Sequence, residues 1–90
     1  MNTLPDSVSP YKRTEIFTSE SIPAAFLREH STADSVWGVL NVTKGFLIFC
    51  IDDTLEKIHL EPSGHMVIAP GMKHHLEING YAEFYVEFYH

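Results

Sequence analysis

The sequence predicts an all-β protein, a single-domain antiparallel jelly roll or β-sandwich barrel. The chain has 90 residues, which is enough for one small domain built around a single core. Runs of about four to eight strand-forming residues alternate with short turn sequences, and no window keeps a 3.6-residue apolar period. Such alternation in a short chain is typical of antiparallel sandwiches and small barrels. We therefore expect one domain over residues 1–90.

The predicted elements follow one another closely along the chain. The first ten residues, MNTLPDSVSP, contain two prolines and two serines and predict an irregular lead-in. Eight strand-like runs follow, separated by turn sequences such as STADS, TKG and EPSG: TEIF, AAFLREH, VWGVLNV, FLIFCI, EKIHL, HMVIA, HHLEI and AEFYVEFY. FLIFCI is apolar on both faces, so we expect it to be fully buried or to form a subunit contact.

Charge and composition exclude some classes of partner. The 12 acidic residues outnumber the 6 basic ones, for a net charge of -6, which argues against a nucleic-acid partner because phosphate binding needs a positive field. No apolar stretch approaches the ~20 residues that span a bilayer, and the N-terminal sequence lacks the features of a signal peptide. We expect a cytoplasmic protein with no membrane partner. Cys50 is the sole cysteine, and we interpret it as a small buried hydrophobe.

An Asn-Gly pair between HHLEI and YAEFYVEFY predicts a two-residue type I′ hairpin. The register of this hairpin pairs His74 with Tyr85 and places Glu87 on the same face, one diagonal further along the last strand. His75 lies on the opposite face, together with Phe84. Only one of the two adjacent histidines can therefore point into a site.

The neighbours of the two histidines indicate which one faces the interior. Leu76 and Ile78 share the face of His74, whereas Glu77 shares the face of His75, and a buried unpaired carboxylate is costly. We therefore expect His74 inside and His75 outside. The alternative is that the opposite face, with Phe84, forms the core.

The chosen face leaves three apolar side chains of the last strand without cover. They would need the N-terminal segment or a second subunit, because an exposed apolar patch marks an interface: Phe84, Val86 and Phe88. We expect a homodimer, in which one self-complementary surface covers both patches. If the Phe84 face is the core, a monomer suffices.

A His and a Glu on one interior face have two interpretations. The simpler one is a neutral histidine hydrogen-bonded to a carboxylate. A third ligand would favour a divalent metal ion, which usually takes three protein groups and leaves positions open for water or substrate. The candidates for that ligand are His30, His59, His65 and His90.

Several stretches together resemble a known family: PYKRTEIF, IPAAFLREHSTADSVWG, VTKGFLIF and PGMKHHLEINGYAEFYVEFYH. The chain resembles the small cupin family related to the N-terminal domain of the tellurite-resistance protein TehB and to YeaR, from about Leu4 to its last residue. The resemblance implies the cupin jelly roll. An Arg-x-His-x-Thr pattern followed by Trp-Gly falls on Arg28, His30, Thr32, Trp37 and Gly38, and the later family positions fall on His74 and Glu87.

The resemblance and the strand pattern together lead to a functional expectation. We expect His30, His74 and Glu87 to bind a divalent metal ion, Fe, Zn, Ni or Mn, which presents open positions to a small-molecule or oxyanion ligand. Arg28 and Tyr85 would orient that ligand. Two alternatives stay open: a metal-free module that binds or senses a small molecule, and an interaction protein that uses its apolar strand face. A link to tellurite or oxidative stress comes from the resemblance alone, and catalysis is left open.

Two of these ligand-binding candidates also have structural interpretations. Trp37 is a candidate stacking platform for the ligand, and the alternative is a plug in the core. Arg28 shares a strand face with His30 in the predicted strand, and it could instead pair with an acidic neighbour such as Glu83. We expect His59, His65 and His90 to be surface residues.

Overall fold

Two antiparallel β-sheets face each other across one apolar core in the computed structural model, which describes residues 3–90. The strands are β1 (Pro10–Arg13), β2 (Phe17–Thr18), β3 (Trp37–Gly45), β4 (Leu47–Ile51), β5 (Glu56–Leu60), β6 (His65–Ile68), β7 (His74–Glu77) and β8 (Ala82–Tyr89), and a 3-10 helix spans Ala24–Leu27. The larger sheet has the order β1-β8-β3-β6 with β2 paired to β8, and the smaller sheet has the order β5-β4-β7. The predicted all-β sandwich is confirmed.

The chain before β3 differs in part from the prediction. Residues 3–9 of the expected lead-in contain no strand, whereas Pro10 already begins β1; residues 1 and 2 lie outside the described part of the chain. The run AAFLREH, predicted as a strand, begins with the 3-10 helix, whose first turn is closed by the amide of Phe26, which donates to the carbonyl of Pro23 at 3.0 Å. Within residues 3–90, no helix is long and apolar enough to cross a membrane.

The core is formed by the inward faces of both sheets. On β4, Leu47 and Phe49 point inward and are 0% exposed, and on β8 the inward residues are Phe84 and Val86. Alternate residues of a strand point to opposite faces, so each of these strands presents one apolar face to the opposing sheet. The largest fully buried side chains are Phe49, Phe84, Leu40, Leu47, Leu76 and Val86. Within FLIFCI, Leu47, Phe49 and Cys50 are buried, whereas Phe46 is 42% exposed and Ile48 and Ile51 are half-buried, so the expected full burial of this run is only partly realised.

The predicted hairpin between β7 and β8 is wrong. β7 pairs with β4 in the smaller sheet, where His74 lies opposite Ile51 and His75 lies opposite Cys50, whereas β8 pairs with β3 in the larger sheet. The Asn-Gly sequence therefore connects the two sheets and closes no ladder between neighbouring strands. The physical reason is burial: strands in opposing sheets can both point their apolar faces at the same core, which the hairpin could not achieve.

This arrangement changes the face assignment on one strand only. His74 is 2% exposed and His75 is half-buried on the outer side, as predicted. Phe84 and Val86, which were expected to point away from His74, are core residues at 0% and 1% exposure. Phe88 lies beside them on the inward face. The apolar patch on which the homodimer was argued is thus covered within one chain, and the homodimer stays a prediction without that support.

One glycine position is fixed by a close approach of backbone. Gly45, at the end of β3, has a φ of +68°, and a Cβ atom there would lie 1.9 Å from the carbonyl oxygen of Tyr81. Only glycine fits both the left-handed conformation and the contact. This position holds the β3–β4 turn against the segment that precedes β8.

Candidate functional site: an inter-sheet cavity with paired histidines

A cavity of about 130 Å³ lies between the two sheets. Its walls are mainly apolar, and two imidazoles, with a serine and a threonine beside them, supply its polar groups. The lining residues are Phe26, His30, Ser31, Thr32, Leu40, Ile68, His74, Leu76, Val86 and Phe88. A concave apolar site with a few convergent polar groups is the usual form of a small-molecule site.

The backbone brings the two histidines together. After the 3-10 helix the chain extends at Arg28, and His30 forms an isolated bridge to the first residue of β7. The amide of His30 donates to the carbonyl of His74 at 3.0 Å, and the amide of His74 donates to the carbonyl of His30 at 2.9 Å. The ring centroids are 4.1 Å apart. The segment that carries His30 is thus fixed to the edge of the smaller sheet.

A hydrogen bond to a backbone carbonyl fixes the tautomer of each ring. Nδ1 of His74 lies 2.8 Å from the carbonyl oxygen of Met72, and Nδ1 of His30 lies 3.0 Å from the carbonyl oxygen of Arg28. A carbonyl oxygen only accepts, so each Nδ1 must carry the proton and donate it. In the neutral rings both Nε2 atoms therefore keep a free lone pair, which is the form in which imidazole binds a metal ion.

Aromatic side chains pack against both rings, and the burial of His74 favours the neutral form of that ring. His74 stacks on Phe49 with the ring centroids 5.1 Å apart, and Phe26 meets His30 edge-on at 5.3 Å. Burial lowers the pKa of His74 below the ordinary value of an imidazole, and the hydrogen bond to the Met72 carbonyl opposes this effect only in part. His74 is consequently a buried, neutral imidazole at neutral pH.

Glu87 does not join the two histidines, which corrects the expected placement of the third metal ligand. It follows Val86 on β8 and points to the outer face of the larger sheet. There its carboxylate accepts a hydrogen bond from Arg13 at 3.2 Å and another from the Tyr89 hydroxyl at 3.0 Å. Tyr85 shares this outer face, with the Arg13 guanidinium 4.6 Å from the centre of its ring. Neither residue lines the cavity.

The other two expected ligand-binding residues also lie away from the cavity walls. Arg28 is exposed, and it touches the site through its backbone carbonyl, which accepts from His30. In the described part of the chain, no ion pair joins its guanidinium to Glu83, so that alternative has no support. Trp37 is half-buried at the start of β3, opposite Tyr89. Of the six predicted site residues, the structure brings together only His30 and His74.

Three residues of the cavity were missed or read differently in the sequence. Phe26 was assigned to a strand, and its role depends on the 3-10 helix that turns it over His30. Phe88 was assigned to the opposite face. Thr32 belongs to the motif carried by the resemblance, and that motif was the one signal for its position. The three histidines expected at the surface, His59, His65 and His90, are exposed.

A second group of side chains was also missed, on the outer face of the smaller sheet. Cys50 is 3% exposed, yet it points away from the inter-sheet core toward His75 on the neighbouring strand. A ring nitrogen of His75, the Cys50 sulfur and a Glu77 carboxylate oxygen lie within 4.8 Å of one another. The alternation in HHLEI places His75 and Glu77 on one face, but Cys50 joins them only through the β4–β7 pairing, which the sequence did not predict.

Comparison with known proteins identifies the family. A family model described as the TehB-like domain matches residues 12–86, which is most of the chain. The chain belongs to the TehB-like domain family. Among curated proteins, none matches the sequence significantly.

Solved structures show the same fold for this TehB-like domain. A protein from E. coli strain K12 superposes with a TM-score of 0.89 at 19% identity, over 100% of this chain and 97% of that one. TehB from Haemophilus influenzae superposes with a TM-score of 0.82 at 26% identity, over 93% of this chain. The match spans 32% of the TehB chain, so it concerns one part of that longer protein.

Proposed function

We propose that this TehB-like domain binds a small ligand in its inter-sheet cavity. In this proposal, His30 and His74 bind a divalent metal ion, and the small ligand fills the open coordination positions of that ion. One observation carries the proposal: both Nδ1 atoms donate to backbone carbonyls, which leaves the Nε2 lone pairs unused in two rings whose centroids lie 4.1 Å apart at a cavity. Metal-binding histidines are oriented in this way, with the second nitrogen bonded to a carbonyl or carboxylate.

The residues fit a metal ion in part. Two imidazoles suit Fe, Zn, Ni or Mn, but the carboxylate expected from Glu87 lies on the other face of its strand. The ion would therefore keep two or more positions for water or for an added ligand, and a small oxyanion is the expected class. A neutral imidazole ligand carries no charge that would attract an anion, so the positive charge for an oxyanion would come from the metal ion. The relation to TehB makes tellurite a natural oxyanion probe.

A second candidate function is supported by the walls of the cavity. Apart from the two imidazoles and two hydroxyls, the lining is apolar. A dry apolar cavity of about 150 Å³ can hold a molecule of the size of benzene. The alternative is a metal-free domain that binds a compact apolar molecule, with the imidazoles as hydrogen-bond acceptors. In both cases the cavity is the binding site.

Metal content tests the first candidate. Protein purified without an affinity tag is freed of metal, equilibrated with Mn²⁺ or Zn²⁺, and analysed for bound metal. We expect His30→Ala to lose one equivalent relative to the wild type, because one of the two imidazole ligands is removed. His65→Ala, an exposed histidine on the larger sheet, is the matched control and should lose none. His30 is chosen over His74 because its side chain is less buried.

The ligand is tested on the metal-loaded protein. Tellurite titrated by calorimetry should bind to the loaded wild type and not to the loaded His30→Ala variant. If the variant retains all its metal, the metal-bound form of the proposal is wrong. Benzene bound by the metal-free protein, detected as NMR shifts of methyl groups around Leu76 and Val86, would favour the second candidate.

A further inference from the structure

The outer face of the smaller sheet carries a second cluster of metal-binding side chains, separate from the cavity. In β4, alternation sends Leu47 and Phe49 into the core and sends Cys50 the other way. The strand register then sets Cys50 opposite His75 on β7 and opposite Lys57 on β5. The thiol is buried by these neighbouring side chains rather than by the core.

A carboxylate orients the ring of His75. Nδ1 of His75 lies 2.8 Å from Oδ1 of Asp52, so Nδ1 donates to this carboxylate, and the neutral form of the ring has its lone pair on Nε2. Nε2 lies 3.8 Å from a carboxylate oxygen of Glu77. The other oxygen of Asp52, Oδ2, is buried and has no hydrogen-bond partner within residues 3–90. A carboxylate behind a histidine is the usual support of a metal ligand.

The three candidate ligands are close enough for one ion. The Cys50 sulfur, a ring nitrogen of His75 and a Glu77 oxygen all lie within 4.8 Å of one another. Bonds of about 2.0 to 2.3 Å in a tetrahedral zinc site hold the ligand atoms about 3.3 to 3.7 Å apart. The side chains of His75 and Glu77 are 25% and 35% exposed, so they can move to close a remaining distance of at most about 1 Å, whereas Cys50 is held by its strand.

We propose that Cys50, His75 and Glu77 bind a zinc ion on this face, with Asp52 as the positioning residue for the His75 ring. Sulfur, nitrogen and carboxylate oxygen are the donor atoms that zinc takes, whereas Mg²⁺ and Ca²⁺ take oxygen alone. Three protein ligands leave a fourth position for water. This site shares no residue with the cavity and does not depend on the function proposed for it.

Zinc binding must displace two groups: the proton of the Cys50 thiol and the ammonium group of Lys57. The Cys50 thiol loses its proton to water, because the thiolate is the ligand. Lys57, whose ammonium lies 3.2 Å from both oxygens of Glu77, releases that carboxylate and moves into solvent. Lys57 is 58% exposed, and an exposed ion pair is weakly held. Lysine is thus a competitor of the metal ion at this site.

The same residues raise a second interpretation, a Cys-His-Asp nucleophile of Cys50, His75 and Asp52. Two observations argue against it. Cys50 is 3% exposed, so a substrate cannot reach its sulfur without displacing the side chains that cover it. Burial and the nearby carboxylate of Glu77 raise the pKa of Cys50, whereas a reactive cysteine needs a lowered pKa. A bound metal ion would replace the thiol proton, so the raised pKa of Cys50 argues less strongly against a ligand role than against a nucleophile.

The test uses Co²⁺ as a spectroscopic substitute for zinc on the full chain, freed of metal. We expect a near-ultraviolet sulfur-to-cobalt charge-transfer band together with the visible bands of a tetrahedral ion, and their loss when Zn²⁺ is added. The charge-transfer band reports only a thiolate ligand, and Cys50 is the sole cysteine. A cobalt ion bound in the cavity gives no such band, so the two proposals are separated by one spectrum.

Variants assign the ligands. Cys50→Ser and His75→Ala should abolish the band, whereas His30→Ala and His65→Ala should keep it. Asp52→Asn should keep the band at saturating cobalt but weaken binding by about 10- to 100-fold, the usual effect of losing such a supporting carboxylate. Lys57→Met should tighten binding by up to about fivefold, because the competing cation is removed. A ligand role predicts this gain, whereas a purely structural role of Glu77 does not.

Two results would overturn the proposal. One is a folded wild type that shows no charge-transfer band at millimolar cobalt. The other is a band that persists in His75→Ala with unchanged affinity. If Cys50→Ser fails to fold, the variants at His75, Asp52 and Lys57 still decide the question, because those side chains are partly exposed.

Discussion

His30 and His74 hold each other by a reciprocal pair of backbone hydrogen bonds, of 3.0 and 2.9 Å, while their rings lie with centroids 4.1 Å apart. His30 follows an irregular segment and His74 begins a strand, so this bridge attaches that segment to the smaller sheet. The position of the two rings therefore depends on backbone bonds as well as on side-chain packing. A substitution at either ring leaves those bonds available, which makes the histidines suitable for tests of function.

The first prediction concerns pH. Because burial lowers the pKa of His74 in the folded protein, the unfolded chain, with an imidazole pKa of about 6.5, takes up the proton first as the pH falls. The stabilising effect of the neutral ring is thus complete above about pH 7.5 and is lost as the pH drops through the unfolded value toward the folded one. The slope from this site is at most about 1.4 kcal/mol per pH unit.

Urea unfolding of the metal-free protein between pH 8 and pH 5 measures this effect. His74→Gln, which cannot titrate, should show a flatter dependence of the free energy of unfolding on pH than the wild type. Equal slopes in the two proteins would mean that His74 does not resist protonation in the folded state.

The second prediction tests which face of β8 is the core. Phe84→Ala should lower the free energy of unfolding by about 3 to 5 kcal/mol, because a fully buried ring leaves a cavity behind. Phe46→Ala, at a position that is 42% exposed, removes the same atoms and should cost less than about 1 kcal/mol. Similar losses at the two positions would place the Phe84 ring outside the core.

The third prediction concerns the turn after β3. Gly45→Ala should lower the free energy of unfolding by at least about 3 kcal/mol, since the added methyl group meets the Tyr81 carbonyl in a left-handed backbone. Gly71→Ala is the matched control: its φ is +73°, but nothing lies within 4 Å of the added carbon. It should cost about 1 to 2 kcal/mol. Thermal unfolding of both variants separates the steric contact from the backbone strain.

The fourth prediction concerns Glu87. Glu87→Gln should leave the metal content of the protein unchanged, because its carboxylate is bonded to Arg13 and Tyr89 on the outer face. Its effect on stability should stay below about 1 kcal/mol, as for other partly exposed ion pairs. Loss of one metal equivalent in this variant, with the fold intact, would indicate that Glu87 is a metal ligand and would contradict this prediction.

The sequence predicted local features well and strand partners poorly. The alternation within HHLEI placed His74 inside and His75 outside, because side-chain direction along a strand has a fixed period of two. The partner of that strand depends on which faces of distant strands can be buried together. The Asn-Gly signal concerns a few residues only, and it was outweighed by the burial of Leu76 and Phe84 in one core.

In the candidate site, too, the features that depend on local sequence were predicted correctly, and those that depend on strand pairing were not. His30 and His74 were predicted through the strand pattern and the family resemblance, and the structure brings them together. Glu87 was expected there from the register of a hairpin that does not form and from the family resemblance, whereas the structure places it on the outer face of the larger sheet. Cys50 was correctly expected to be buried, but its neighbours His75 and Glu77 could be identified only once the pairing of β4 with β7 was known.

The pairing of β1 with β8 has a consequence for how the chain reaches this fold. Pro10 lies opposite Tyr89, and Phe17 on β2 lies opposite Phe84, so the larger sheet joins residues from opposite ends of the sequence. Closing so long a loop costs conformational entropy before the favourable contacts between the strands have formed. Folding should therefore take milliseconds to seconds, as for other sheets of high contact order. Both early strands pair with β8, so the larger sheet cannot be completed until the last strand of the chain is available.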